Sequence, residues 1–313
     1  MMTDRIKQTL TMLGTMLLVA PTAAQEAPIC QNELVVLGAG QDAGAPQIGN
    51  ADDDGPRLLP SSLALIDRVA GKRYLFDATP AITEQLAMLD AIEPPKEGLG
   101  IDGIFLTHAH IGHYLGLVYL GREAAGAKNV PVYAMPRMAE FLRTNGPWSQ
   151  LVELENIDIQ VLSAPSIHAV DQNLIVAPFL APHRDEYSET VGYVMIVAGK
   201  SVMYLPDFDS WQKMDELGGG TANLTDGIEA VFIDATFYDD NELPGRDMSQ
   251  IPHPRVTETM DLLKDLPPKE RAKVHFIHYN HTNPIRDPES AESREVGANG
   301  FNIARRGDRF CLD

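Results

Sequence analysis

The stretch "FLTHAHIGHYLGL", residues 105–117, holds His108, His110 and His113 in a chain of 313 residues that has only nine histidines. Neutral imidazole is the commonest metal ligand in proteins, and zinc takes three or four nitrogen, oxygen or sulfur ligands. At spacing i, i+2 and i+5 the first two histidines share one face of an extended segment, and a turn brings the third toward them. A single histidine is usually structural; three this close point to a metal.

More ligand-type side chains follow, each just beyond an apolar run. "LIVAPFLAPHRDEYS" puts His183 at a strand exit, "SVMYLPDFD" does the same for Asp207, and "VHFIHYNHTNP" offers both His278 and His281. Ligands at several strand ends are what a metal site between two sheets requires. Either His278 or His281 could be the ligand of the last segment; His281 is alternatively a proton carrier beside the metal or a cap of its turn. Asp234 in "FIDATFYDD" stands at a further strand end, where a carboxylate can orient a ligand histidine or line a pocket. His253, in the proline-flanked "QIPHPRVTETM", is a second candidate proton donor, or else packs at a helix start. His168 stands alone in "PSIHAV" and reads as structural.

Periodicity supplies the elements that must position these residues. "ELVVLGAG" reads as a first strand, and "SSLALID" and "KRYLFDAT" as two strands around a Gly71-Lys72 turn. "PAITEQLAML" reads as a helix with proline in its first turn. "GIFLTHAH", "VPVYAM", "DIQVLSA", "LIVAPFLAPH", "TVGYVMIVAG", "SVMYLPD", "IEAVFID" and "KVHFIH" read as strands. Between or after them "HYLGLVYLGREAAG", "PRMAEFLRT", "SWQKMDELG", "PRVTETMDLLKDL" and "DPESAESRE" carry helical patterns. Strands cluster in each half with helices between them, which predicts an α/β protein with two sheets inside and helices outside.

The order HxHxxH, then a lone histidine, an aspartate and a histidine resembles the metallo-β-lactamase superfamily of metallohydrolases. The resemblance implies a four-layer αββα sandwich of two mixed sheets. Carried over by position, it implies one metal on His108, His110 and His183, a second on His113 and His278, and Asp207 bridging both. The expected cofactor is zinc, which lowers the pKa of its bound water toward ~7 and gives hydroxide at neutral pH. Asp207 would orient the water, and His281 or His253 would protonate the leaving group. Asp77 in "FDAT" matches the place where the superfamily has an aspartate in a turn, which implies that it supports the metal loops. "VVLGAGQDAGAPQIGN", "LTHAHIGHYLGL", "PHRDEYSETVGY" and "IHYNHTNPI" look more particularly like the branch that includes the pyrroloquinoline quinone biosynthesis protein B. Two departures stand out. That branch has a zinc-binding cysteine cluster after its "PQ", where this chain reads "IGNADDDGP". The superfamily pattern HxHxDH has an aspartate where this chain has Gly112, so the first zinc site is expected to be tight and the second weaker.

Residues 1–24 combine a basic start, an apolar run short of the ~20 residues a membrane span needs, and a small-residue ending. They predict a cleaved signal peptide, a mature domain over 25–313, a periplasmic or secreted location and no membrane insertion after cleavage. Cys30 and Cys311, the two cysteines, are expected to join as a disulfide in an oxidising compartment. The net charge of −19 argues against nucleic-acid and anionic-membrane partners, which need basic patches. The expected partner is a small-molecule substrate, and the expected activity is cleavage of a small ester, lactone or amide. Tyr187, Tyr238 and the acidic loop Asp52–Asp54 are expected at the site mouth. The competing readings are a non-catalytic zinc-containing binding or carrier protein and a β-lactamase.

Overall fold

The computed structural model describes residues 29–221 and 224–313, so the expected signal peptide lies outside the described residues. The first half runs β1 (Asn32–Gly38), β2 (Ser62–Asp67), β3 (Lys72–Phe76), α1 (Ile82–Ile92), β4 (Gly103–Phe105), α2 (Ile111–Tyr114), β5 (Val130–Ala134), α3 (Pro136–Thr144), α4 (Trp148–Glu153) and β6 (Ile157–Val161). The second runs β7 (His168–Ala169), β8 (Leu174–Leu180), β9 (Val191–Val197), β10 (Lys200–Leu205), α5 (Trp211–Glu216), β11 (Ala230–Asp234), α6 (Val256–Leu262), α7 (Pro268–Arg271), β12 (Val274–Ile277), α8 (Ala291–Ala298), β13 (Asn302–Ile303) and β14 (Arg309–Cys311).

One sheet has the order β14-β1-β2-β3-β4-β5-β6 and the other β13-β12-β11-β10-β9-β8-β7. Each is half antiparallel and half parallel: β3 to β6 and β10 to β13 form the parallel halves. The last strand crosses back to pair with β1, so the first and last strands lie side by side in one sheet.

The alternation of β1 shows why the sheets stack. Leu34 and Val36 face a core shared with Leu65, Phe76, Tyr193 and Tyr204, which come from both sheets. Val35 and Leu37 point the other way, into a cluster with Ile82 and Leu89 of α1 and Met138 and Leu142 of α3. A strand covered on both faces reads as one continuous apolar run, as "LVVL" does. On the second sheet, Trp211 and Met214 of α5 and Val256 and Met260 of α6 are buried in the core. The result is two mixed sheets flanked by helices, as the sequence predicts.

The helix expected over "HYLGLVYLGREAAG" is broken. Only α2 is α-helical; Leu115–Leu120 is a 3₁₀ run, followed by turns. The cause is close backbone packing at Gly116, whose amide donates to the Ala78 carbonyl at 2.9 Å. A Cβ at residue 116 would lie 2.1 Å from the Thr79 carbonyl oxygen. Three short strands, β7, β13 and β14, escape the sequence pattern, as do α4 and α7.

Candidate metal centre

The ligand-type residues converge because each sits where the chain leaves a sheet: His108 and His110 after β4, His113 in α2, His183 after β8, Asp207 after β10 and His278 after β12. His108, His110, His183 and Asp207 bring one ligand atom each within 4.8 Å of one another. His110 Nδ1 lies 2.8 Å from His108 Nε2 and 3.2 Å from His183 Nε2. Asp207 Oδ2 lies 3.3 Å from His108 Nε2, 3.2 Å from His183 Nε2 and 3.9 Å from His110 Nδ1. Four ligands placed tetrahedrally at ~2.0–2.1 Å from one zinc stand ~3.3 Å apart, so the donor set fits that ion. The ring centroids of His108 and His183 are 5.3 Å apart, close enough to share it.

A second group joins Asp42, His113 and His278 within the same limit. Nε2 of His113 and Nε2 of His278 are buried without a hydrogen-bond partner, and each lies 3.9 Å from Asp207 Oδ2. One aspartate oxygen therefore stands between two sets of imidazole nitrogens. Buried polar atoms are almost always satisfied, so orphaned nitrogens facing a carboxylate oxygen mark a place built for a cation.

Each opposite ring nitrogen is held by an acceptor. His113 Nδ1 donates to Asp77 Oδ2 at 2.7 Å, and His183 Nδ1 donates to Asp209 Oδ1 at 3.0 Å. His108 Nδ1 meets Thr107 Oγ1 at 3.0 Å, and His278 Nδ1 meets Thr236 Oγ1 at 3.0 Å. Such partners fix the tautomer and aim Nε2 at the centre. Asp77 is itself held by the Thr107 amide at 2.8 Å. Asp77 (φ 68°) and His278 (φ 64°) both adopt the left-handed region, which non-glycine residues occupy at a cost and which clusters at functional sites.

The charges follow from this crowding. Burial opposes ionisation of Asp207, but His183, His253 and His278 around it hold its carboxyl well below the usual range. Burial likewise opposes charge on His183, but Asp207 and Asp209 outweigh it and push the imidazole up to about 10. Burial, together with His113, drives His108 well below its ordinary value. Burial also opposes charge on His113, but Asp77 and Asp207 outweigh it and raise that imidazole, so the buried aspartates draw positive charge into the site.

The other expected residues divide. His253 reaches the centre: its Nδ1 is 2.8 Å from Asp234 Oδ2 and 3.3 Å from Asp207 Oδ1. Beside His253 and Asp209 opens a cleft of about 610 Å³, also lined by Ser210, Lys213 and Arg255. His281 does not join any ligand group among the described residues. Its Nδ1 faces Asn280 Oδ1 at 2.8 Å, within the turn closed by the Asn283 amide on the Asn280 carbonyl. His278 is the member of the pair that points inward. In the acidic loop Asp52 and Asp54 are exposed, while Asp53 accepts from Arg286 at 2.8 Å and from the Gly55 amide at 3.0 Å. Tyr238 is buried and donates to Glu295, whereas Tyr187 is exposed and packs on Phe141. His168 bonds the Ser163 backbone, apart from the centre. Asp209 escapes the sequence reading although "LPDFD" places it two residues beyond Asp207; Asp42 lies in a glycine-rich loop with no local signal.

This arrangement of histidines and a shared aspartate between two sheets is that of a metallo-β-lactamase-type centre. Residues 72–279 match the beta-lactamase superfamily domain, and the chain belongs to that superfamily. The Coenzyme PQQ synthesis protein B of Methylococcus capsulatus is 26% identical over 312 residues, covering 88% of this chain and 99% of the relative. The crystal structure of Zn(2+)-bound PqqB from Methylobacterium extorquens aligns with a TM-score of 0.73 at 21% identity, covering 90% of this chain and 100% of that one. A diphosphatase from the PhnP family aligns with a TM-score of 0.61 at 23% identity, covering 90% and 98%.

Proposed function

We propose that the chain is a zinc-dependent hydrolase that cleaves a small ester, lactone or amide-type substrate. The observation that carries this is the His108, His110, His183 and Asp207 set, spaced for one zinc, with an oxygen of Asp207 turned also toward His113 and His278. When bound there, zinc would acidify water and polarise a substrate oxygen. The chain's own residues supply the rest. Asp207, buried and ionised, is placed to orient a water by accepting its proton in a hydrogen bond. Burial works against charge on His253, but Asp234 and Asp207 outweigh it, so this imidazole carries its proton upward from the ordinary range. Held by Asp234 at the edge of the cleft, His253 is the residue placed to give a proton to a leaving group. The acidic chain disfavours polyanionic substrates.

The test is a panel of ester, lactone and lactam substrates given to zinc-loaded protein, with His183→Ala as control. Zinc-dependent hydrolysis lost in the control supports the reading; a fully loaded protein inert across the panel sinks it. The similarity to PQQ synthesis protein B over most of the chain favours, as a second reading, a binding or carrier role for a related small molecule. We further propose export to the periplasm or beyond, supported by the pattern of residues 1–24 and by the joined cysteines. N-terminal sequencing of protein from the periplasmic fraction checks it: a start near Gln25 is expected, and an intact Met1 in the cytosolic fraction overturns it.

A further inference from the structure

We propose that Asp42, on the loop after β1, is the carboxylate of a second metal position, completing it with His113, His278 and the shared oxygen of Asp207. The proposal rests on the metal-centre reading above and goes beyond it by naming a ligand that the pattern of the surrounding motifs does not contain.

The need comes first. His113 and His278 are 1% and 0% exposed, and their Nε2 atoms have no partner. Each ring is anchored through Nδ1, so neither can turn its free nitrogen elsewhere. Two imidazoles and half of a bridging carboxylate are a poor set for a second dication beside the first. A carboxylate oxygen of Asp42 and one ring nitrogen each of His113 and His278 lie within 4.8 Å of one another.

The loop is built to bring it there. The Gln41 amide donates to the Tyr279 carbonyl at 3.0 Å, and the Tyr279 amide donates to the Ala39 carbonyl at 3.0 Å. The segment carrying Asp42 is thereby stitched to the residue following His278, across the two sheets. Asp42 itself adopts φ 40°, a left-handed conformation that a non-glycine residue holds only with support.

Gly112 explains how the loop can come so close. A Cβ on residue 112 would lie 2.6 Å from Asp42 Cα and 3.0 Å from its carbonyl oxygen. A side chain at 112 and the Asp42 loop compete for one space. The aspartate that the superfamily pattern would put before His113 is therefore incompatible with this loop, and the missing carboxylate enters from β1 instead. The expected weakness of the second site, argued from Gly112 alone, loses its basis. Replacing Gly112 by aspartate does not restore a ligand; it displaces one.

Zinc titration of the metal-free protein by calorimetry, with Co²⁺ absorption as a second readout, tests this. Wild type should take two equivalents. Asp42→Asn and Asp42→Gly should keep the first and bind the second at least about tenfold more weakly, the low end of what loss of a supporting group costs. Glycine is at ease at φ 40°, so a folding failure at this position is not expected, and retention of the first equivalent reports an intact centre. Gly112→Ala should weaken the same equivalent, and His281→Ala should change neither. Asp42 variants that keep a wild-type second equivalent, or a wild type that takes only one, overturn the proposal. A wild type that takes none instead overturns the metal-centre reading beneath it.

Discussion

Asp209 acts on the centre through one atom pair. Its Oδ1 accepts from His183 Nδ1 at 3.0 Å, while Oδ2 accepts from Lys213 Nζ at 2.6 Å. Removing the carboxylate frees the His183 ring to rotate and leaves its tautomer unset. Asp209→Ala should therefore weaken first-site zinc binding by roughly 10–100-fold without removing a ligand. Asp209→Asn should recover part of the loss, because its amide oxygen can still accept from Nδ1. Calorimetric zinc affinities of the two variants decide it: equal affinities to wild type would show that His183 is held by packing alone. Asp77 plays the same part for His113 but is more deeply embedded, since it also accepts from the Thr107 amide and hydroxyl. Asp77→Ala leaves those donors unsatisfied in the core and should cost about 2–4 kcal/mol in urea unfolding as well as weakening the second equivalent. A loss of metal with unchanged stability would separate the two roles.

Between elements, Asp171 is the clearest tie. It sits in the turn from β7 to β8, and its Oδ1 accepts from the Asn173 and Leu174 amides at 2.8 and 2.7 Å. Its Oδ2 accepts from the Tyr74 hydroxyl and from Lys72 Nζ, both on β3 of the other sheet. Burial opposes the charge, but the Tyr74 bond and the two amides outweigh it and bring the carboxyl down from 3.8 to about 2. A folded pKa below the unfolded one means stability present above about pH 4 and lost as pH falls toward 2. Lys72 is partly exposed, so its share is screened. Asp171→Asn should cost about 1–2 kcal/mol at pH 7, with the gap to wild type closing near pH 2. A gap that stays constant down to pH 2 would assign the loss to shape rather than charge. Contacts of this kind explain what could be read beforehand. Strands covered on both faces announce themselves, as "LVVL" and "AVFID" do, and the ligands at their exits follow from position. The broken helix at Gly116 and the entry of Asp42 depend on a backbone from elsewhere in the chain lying against a glycine, and no local pattern records that. His281 misleads for the converse reason: its residue type suits chemistry, but the left-handed turn at His278 spends the inward direction on its neighbour.

At the scale of the molecule, β1 links two features at its opposite ends. Cys30 precedes it and is bonded to Cys311 with Cα atoms 5.7 Å apart, while Asp42 follows it. Seven strand residues at ~3.3 Å each put roughly 23 Å between these ends. The segment around β1 and the C-terminal residues are also held together by β14 on β1, by Arg309 on Glu33 at 2.6 Å, and by the Asp313 carboxylate accepting from the Gln31 and Asn32 amides at 2.8 Å. These contacts exist only in the folded chain, whereas the disulfide also restrains the unfolded one across a separation of 281 residues. The entropic model puts that restraint at up to ~5 kcal/mol. The Cys30→Ser/Cys311→Ser variant should therefore fold, keep its zinc stoichiometry and lose global stability, because the native contacts that seat β14 survive and the centre lies at the far end of the strand. Urea unfolding and zinc titration of the same preparation test both halves. Unchanged stability would remove the disulfide from the account of how the sandwich is closed, and a lost equivalent of zinc would show that the chain ends and the Asp42 loop are coupled through β1.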